Sequence, residues 1–94
     1  MKRIGWSLGA QRDLRTIAQF YNQLDAALSD RLIQEVEQAT RILIDYPQMG
    51  PPVAESALRR WRVTGTPFLL FYRVSGSTVR ILKVLDARSD WKPV

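Results

Sequence analysis

The sequence predicts an α+β domain in which an N-terminal helical hairpin covers one face of an antiparallel sheet, in the order β-α-α-β-β-β. Three observations carry that prediction. Between Ala10 and Leu43 apolar residues recur at spacings of three and four, the period of a helix. Beyond Leu58 the pattern changes to alternation and to short runs rich in Val, Ile, Leu and aromatic residues. The helical segments all precede the main run of strands, so the two kinds of element are segregated along the chain. With 94 residues, the chain from 1 to 94 makes one domain with a single small core.

Arg3 to Trp6 is a short strand. Ser7 follows at an N-cap position, where its hydroxyl can accept from an exposed N–H of the first turn. Ala10, Leu14, Ile17, Ala18, Tyr21 and Leu24 then mark one face of a helix over residues 8–24. A second helix runs from Ala26 to Tyr46 on the stripe Leu28, Leu32, Val36, Ala39 and Leu43, widened by Ile33 and Ile42; Pro47 and Gly50 stop it. The connection is so short that the helices must fold back on each other. Residues 47–57 hold three of the five prolines and form the long loop. Strands follow at Leu58–Thr64, Phe68–Val74 and Thr78–Leu85, the last two joined by the tight turn Ser75-Gly76-Ser77.

Alternation assigns faces. If Trp61 and Val63 point to the core, Arg60 and Arg62 point away from it. Leu69, Phe71 and Arg73 share one face of the next strand, opposite Phe68, Leu70, Tyr72 and Val74. Both faces of that strand are apolar, so it is expected to be central and to be covered on its second face by something other than the helices.

Composition excludes much. The chain has no cysteine and no histidine. Disulfides, thiolate metal sites, nearly all zinc chemistry and the commonest general base are therefore absent, and no metal or cofactor is expected. No apolar run approaches the roughly 20 residues that span a bilayer. The opening MKRIGWS turns polar at once, so neither a signal peptide nor a membrane partner is expected, and the cytoplasm is the predicted compartment. Six basic and six acidic residues cancel in residues 1–50, while residues 51–94 carry eight basic against three acidic, so the whole net charge of +5 lies in the strand half. That asymmetry points to an anionic partner, nucleic acid or an acidic protein segment; a basic surface that serves only solubility is the plainer reading.

From Trp6 to Trp91 the chain resembles the ParE/RelE superfamily of type II toxins. The likeness rests on Trp6-Ser7 with Ala10, Asp13-Leu14 and Ile17; on Leu43 to Gly50 as an "L-x-x-x-P-x-x-G" helix exit; on Arg62-Val63 with Pro67 to Val74; and on Ile81 to Arg88 with Asp90-Trp91. Asp86 stands where the ParE branch often carries histidine. The resemblance implies one of two activities. ParE-like members bind DNA gyrase and arrest growth without being nucleases, whereas RelE-like members cut mRNA in the ribosome. Against the RelE pattern, Arg60, Arg62 and Arg88 match basic positions, but Leu69 replaces the central-strand arginine and no tyrosine stands near the C-terminus. Arg73 lies about 13 Å from that position, too far to substitute. Cleavage needs a group of tunable pKa to move protons, and none is evident.

The ParE-like assignment, a gyrase-binding toxin with no catalytic residues, is the preferred expectation, with a ribosome-dependent mRNA endonuclease as the alternative. It implies a ParD-like antitoxin with an acidic C-terminal segment. The residues expected to meet it are Arg60, Arg62, Leu69, Phe71 and Arg73; those expected to meet gyrase are Arg88, Trp91 and Lys92. Direct nucleic-acid binding is not expected. Structural roles compete with these. Trp6 and Trp61 read as core anchors and Tyr21, Tyr46 and Tyr72 as core or core-edge residues. Arg73 reads as a half-buried partner of Asp86 or Glu55, and Arg88 with Trp91 as a cation–π lock.

Overall fold

A computed structural model describes residues 3–88. The elements are β1 (Arg3–Trp6), α1 (Leu8–Leu24), α2 (Ala26–Asp45), β2 (Arg59–Arg62), β3 (Phe68–Ser75) and β4 (Thr78–Asp86), in the expected order. The four strands form one sheet, ordered β1-β4-β3-β2. β2, β3 and β4 make the antiparallel run, and β1 joins the edge of β4 in parallel, Arg3 opposite Thr78 and Trp6 opposite Ile81. Parallel pairing needs a long crossover, and nearly the whole chain separates these two strands.

Both helices start on caps visible in the sequence. The Ser7 hydroxyl accepts from the Ala10 N–H at 3.0 Å and donates to the Leu82 carbonyl of β4 at 3.1 Å. Asp25 serves two helices. Its N–H closes α1 on the Tyr21 carbonyl, and its carboxylate accepts from Ala27 and Leu28 at the start of α2. A one-residue joint of this kind forces the antiparallel hairpin. The core comprises Ala10 and Tyr21 of α1, Leu32, Val36, Ala39 and Leu43 of α2, and Val63, Phe68, Leu70, Tyr72, Val79, Ile81 and Val84 on or beside the strands. Trp6 and Trp61 pack against it as half-buried anchors. Two residues depart from expectation. Leu24, the last residue of α1, is 64% exposed, and Tyr46, just past α2, is likewise 64% exposed rather than at the core edge.

β4 carries an irregularity that simple alternation does not reveal. Phe71 pairs with Lys83, but the next residue, Tyr72, pairs with Ile81, so Leu82 is an extra residue. Strict alternation from Val79 and Ile81 would turn Lys83 into the core. The bulge shifts the phase, and the buried residues become Val79, Ile81 and Val84. β1 ends opposite Ile81, and the start of α1 takes over beside β4. The Ser7 N–H bonds the Ile81 carbonyl, the Ser7 hydroxyl bonds the Leu82 carbonyl, and Asp13 accepts from the Val84 N–H at 3.0 Å.

The exit from α2 is fastened to β3 by one side chain. The Tyr72 hydroxyl donates to the Pro47 carbonyl at 2.8 Å and accepts from the Gly50 N–H at 2.9 Å. A Cβ on Gly50 would lie 2.6 Å from that hydroxyl and 2.7 Å from the Arg60 carbonyl, so only glycine fits. From β2, the Arg59 guanidinium donates to the Gly50 carbonyl at 2.7 Å and to the Gln48 side chain at 2.6 Å. Burial pushes the Tyr72 pKa above its ordinary 10.0, against smaller opposing effects of the Gly50 N–H and the Arg59 charge.

Tyr72→Phe removes both bonds and leaves a buried N–H and carbonyl to find new partners, an expected loss of about 1–3 kcal/mol in chemical denaturation at neutral pH. Because the folded-state pKa of Tyr72 is raised, its contribution is full below the ordinary tyrosine value of 10.0 and is lost as pH rises through the folded value. The gap between wild type and Tyr72→Phe should therefore narrow on the alkaline side. A gap that widens there would contradict this assignment.

Candidate functional site

The register of the sheet builds its open face row by row. Arg62 of β2 lies opposite Leu69 of β3, which lies opposite Leu85 of β4. Arg60, Phe71 and Lys83 form the next row, followed by Arg73 and Arg80. The interleaved residues Phe68, Leu70 and Tyr72 are fully buried on the helix side, as alternation requires. The result is an apolar stripe of half-buried Leu69, Phe71 and Leu85, bordered by exposed Arg60 and Arg62 on one flank and exposed Lys83 on the other. An open groove of about 690 Å³ runs beside β2, bounded by Pro51, Arg60, Arg62, Thr64 and Leu69.

All five residues expected to meet an acidic partner, Arg60, Arg62, Leu69, Phe71 and Arg73, thus share one surface. Arg80, Lys83 and Leu85 make its other half; sequence reasoning places Arg80 and Lys83 only in a solvated face with Arg60 and Arg62, and does not assign Leu85. The signal that would have found Lys83 and Leu85 is the phase shift at Leu82, which only the strand pairing reveals. Neither β2 nor β3 contains an acidic residue, and the single acid of β4, Asp86, turns toward α1. Arg73 is accordingly not the half-buried partner of Asp86 that was expected: it is exposed, and Asp86 is engaged on the other side of the sheet. Lys83 reaches Asp13 at 3.9 Å, a partly exposed pair that contributes little to stability.

At the far end of β4 a second cluster forms. The Tyr21 hydroxyl donates to Asp86 Oδ2 at 2.8 Å. Asp86 Oδ1 accepts from the Arg88 N–H at 3.0 Å, with Arg88 Nε at 3.5 Å, and the Arg88 guanidinium lies over the Tyr21 ring, 5.3 Å from its centroid. Arg88 is therefore held against α1, away from the face that carries Arg60 and Arg62. Among the described residues its aromatic partner is Tyr21; Trp91 and Lys92, the other residues expected to contact a target, lie outside the described residues.

A family model described as "ParE toxin of type II toxin-antitoxin system, parDE" matches residues 4–91. This chain belongs to that family. The toxin is 31% identical over 93 residues to a protein named "Putative toxin Y4kP" from Sinorhizobium fredii, covering 99% of this chain and 96% of the relative. Its fold matches the chromosomal ParDE system from P. aeruginosa with a TM-score of 0.77 at 23% identity, over 89% of this chain and 94% of that one. A chain of the E. coli DinJ–YafQ complex shares the fold at a TM-score of 0.65 and 16% identity, over 98% and 100% of the two chains. At those identities the structural likeness establishes the fold alone.

Proposed function

We propose that this toxin arrests growth by binding DNA gyrase in the cytoplasm, without cleaving RNA, and that an acidic antitoxin segment neutralises it by covering the open sheet face. The observation that carries the non-nuclease reading is the chemistry of that face. Its named residues are arginine, lysine, leucine and phenylalanine, which can hold a phosphate but have no group suited to moving its protons at neutral pH. The Tyr72 hydroxyl lies on the helix side and is occupied by two bonds. Arg88, which RNA cleavage would need beside Arg60 and Arg62, is stacked on Tyr21 instead. A ribosome-dependent nuclease remains the second reading, because the fold is also that of a chain of the DinJ–YafQ complex and Arg60 and Arg62 occupy basic positions of the RelE pattern. The deciding test is induction in a bacterium: DNA synthesis is expected to stop before protein synthesis, and programmed ribosomes given pure toxin are expected to leave mRNA intact. Clean A-site cleavage would move the toxin to the nuclease branch.

Gyrase contact is assigned to the segment from Arg88 through Trp91 and Lys92, where cations and an aromatic side chain occur together. Truncation after Ala87 is expected to abolish growth arrest while the circular-dichroism spectrum stays that of the folded domain. Parallel loss of both would make the segment structural.

The antitoxin reading rests on complementarity. A ParD-like partner with an acidic, amphipathic C-terminal segment can lay its apolar side on Leu69, Phe71 and Leu85 and its carboxylates against the flanking cations. Exposed charges steer association, and desolvated apolar anchors set dissociation. Charge reversal at Arg60 and Arg62 together should slow antitoxin association at low salt and have less effect at high salt. Phe71→Ala, checked for retained fold, should instead speed dissociation by about tenfold or more. Wild-type rates for both variants would show that the antitoxin docks elsewhere.

A further inference from the structure

The open face changes character along β3. Its first two rows have the apolar centres Leu69 and Phe71, but in the third Arg73 stands directly opposite Arg80. Directly opposed residues of an antiparallel pair have Cβ atoms about 4.5–5.5 Å apart, and like charges in that position cost stability. Both arginines are exposed, and neither guanidinium takes part in an ion pair or hydrogen bond among the described residues. The neighbour of Arg80 in β1 is Gly5, where a Cβ would sit only 3.7 Å from Arg80 Nη1. The missing side chain leaves room for the guanidinium to lie over the strand. Solubility needs cations on this face but does not need two of them opposed.

We propose that Arg73 and Arg80 form a two-guanidinium clamp for carboxylate side chains of the antitoxin's acidic segment, gripping it where it runs off the apolar stripe. This rests on the reading that the antitoxin covers the open face. Each guanidinium presents a planar fork of N–H donors that fits a carboxylate bidentately, and a bound anion converts the repulsion between the two cations into attraction for both. The stripe alongside favours an acidic peptide over nucleic acid. An amphipathic peptide carries carboxylates and apolar side chains together, whereas a nucleic-acid strand would bring phosphates across Leu69 and Phe71.

The test compares three double variants, Arg73→Gln/Arg80→Gln, Arg73→Lys/Arg80→Lys and Arg60→Glu/Arg62→Glu, against a cognate ParD-like antitoxin. The glutamine variant is expected to lose about tenfold or more in affinity, most strongly at low salt, while the free toxin keeps or raises its thermal midpoint because the opposed charges are gone. The lysine variant is expected to lose affinity as well, since point charges replace the forks. Wild-type affinity of the glutamine variant, with weakened binding of the Arg60/Arg62 variant, would overturn the clamp and leave the docking face standing. Wild-type affinity of both would overturn the two together. A fall in the glutamine variant's own stability would make the pair structural. Competition by a single-stranded RNA oligonucleotide that depends on Arg73 and Arg80 would make the ligand a phosphate, and would also overturn the clamp as stated.

Discussion

One hydroxyl group joins the two halves of this fold. Tyr72 stands on a strand interior to the sheet, and its Oη holds both ends of the Pro47–Gly50 turn that leads out of α2. The two bonds are worth about 1 kcal/mol each, small beside the burial of Tyr72, Phe68 and Leu43 in the same core. Their importance is positional. With the turn pinned, the Pro51 carbonyl meets the Arg60 N–H, Pro52 bridges to Arg59, and the Val53 N–H meets the Leu58 carbonyl. The loop thus runs along the outer edge of β2 and sets which of its residues face outward. Arg59 turns back to grip the turn, and Arg60 and Arg62 are left on the open face. A glycine at position 50 is the steric condition for all of this.

The sheet separates two kinds of work. Its helix side holds the polar groups that organise the chain: Ser7 and Asp13 on the edge of β4, Tyr72 on the turn, Tyr21 on Asp86. Among the described residues every buried side-chain nitrogen and oxygen has a partner. The other side holds cations and apolar groups without acidic neighbours in the same rows. Water solvates the exposed cations but not the apolar stripe between them, so the face combines an excess of positive charge with uncovered hydrophobic surface. This contrast suits recognition, and it separates the proposed binding surface from the parts that keep the domain folded.

Much of this was legible in the sequence because local signals agreed. Ser7 and Asp25 are good caps, the helical stripes have the right period, and Ser75-Gly76-Ser77 lies between two strand patterns; Gly76, at φ +57, supplies the left-handed turn residue. Alternation alone placed Arg60, Arg62, Leu69, Phe71 and Arg73 together. What was not legible depends on strand pairing or on distant partners. Nothing local to Arg3–Trp6 says that it runs parallel to a strand at the other end of the chain. Nothing local to Leu82 marks a bulge, so Lys83 and Leu85 could not be assigned a face. Asp86 looked available to Arg73 because both lie on neighbouring strands, yet strand parity and the Tyr21 hydroxyl take it to the opposite side.

The proposed recognition through the sheet face can be tested directly by methyl NMR of the labelled toxin during titration with a cognate antitoxin. The alternative docking surface is the larger hollow of about 850 Å³ between the helices and β1, with Leu14 and Ile33 in its lining. Docking on the sheet is expected to shift the methyl signals of Leu69 and Leu85 while those of Leu14 and Ile33 stay in place. Shifts confined to Leu14 and Ile33 would put the antitoxin on the helical hairpin and contradict the assignment of the open sheet as the binding surface.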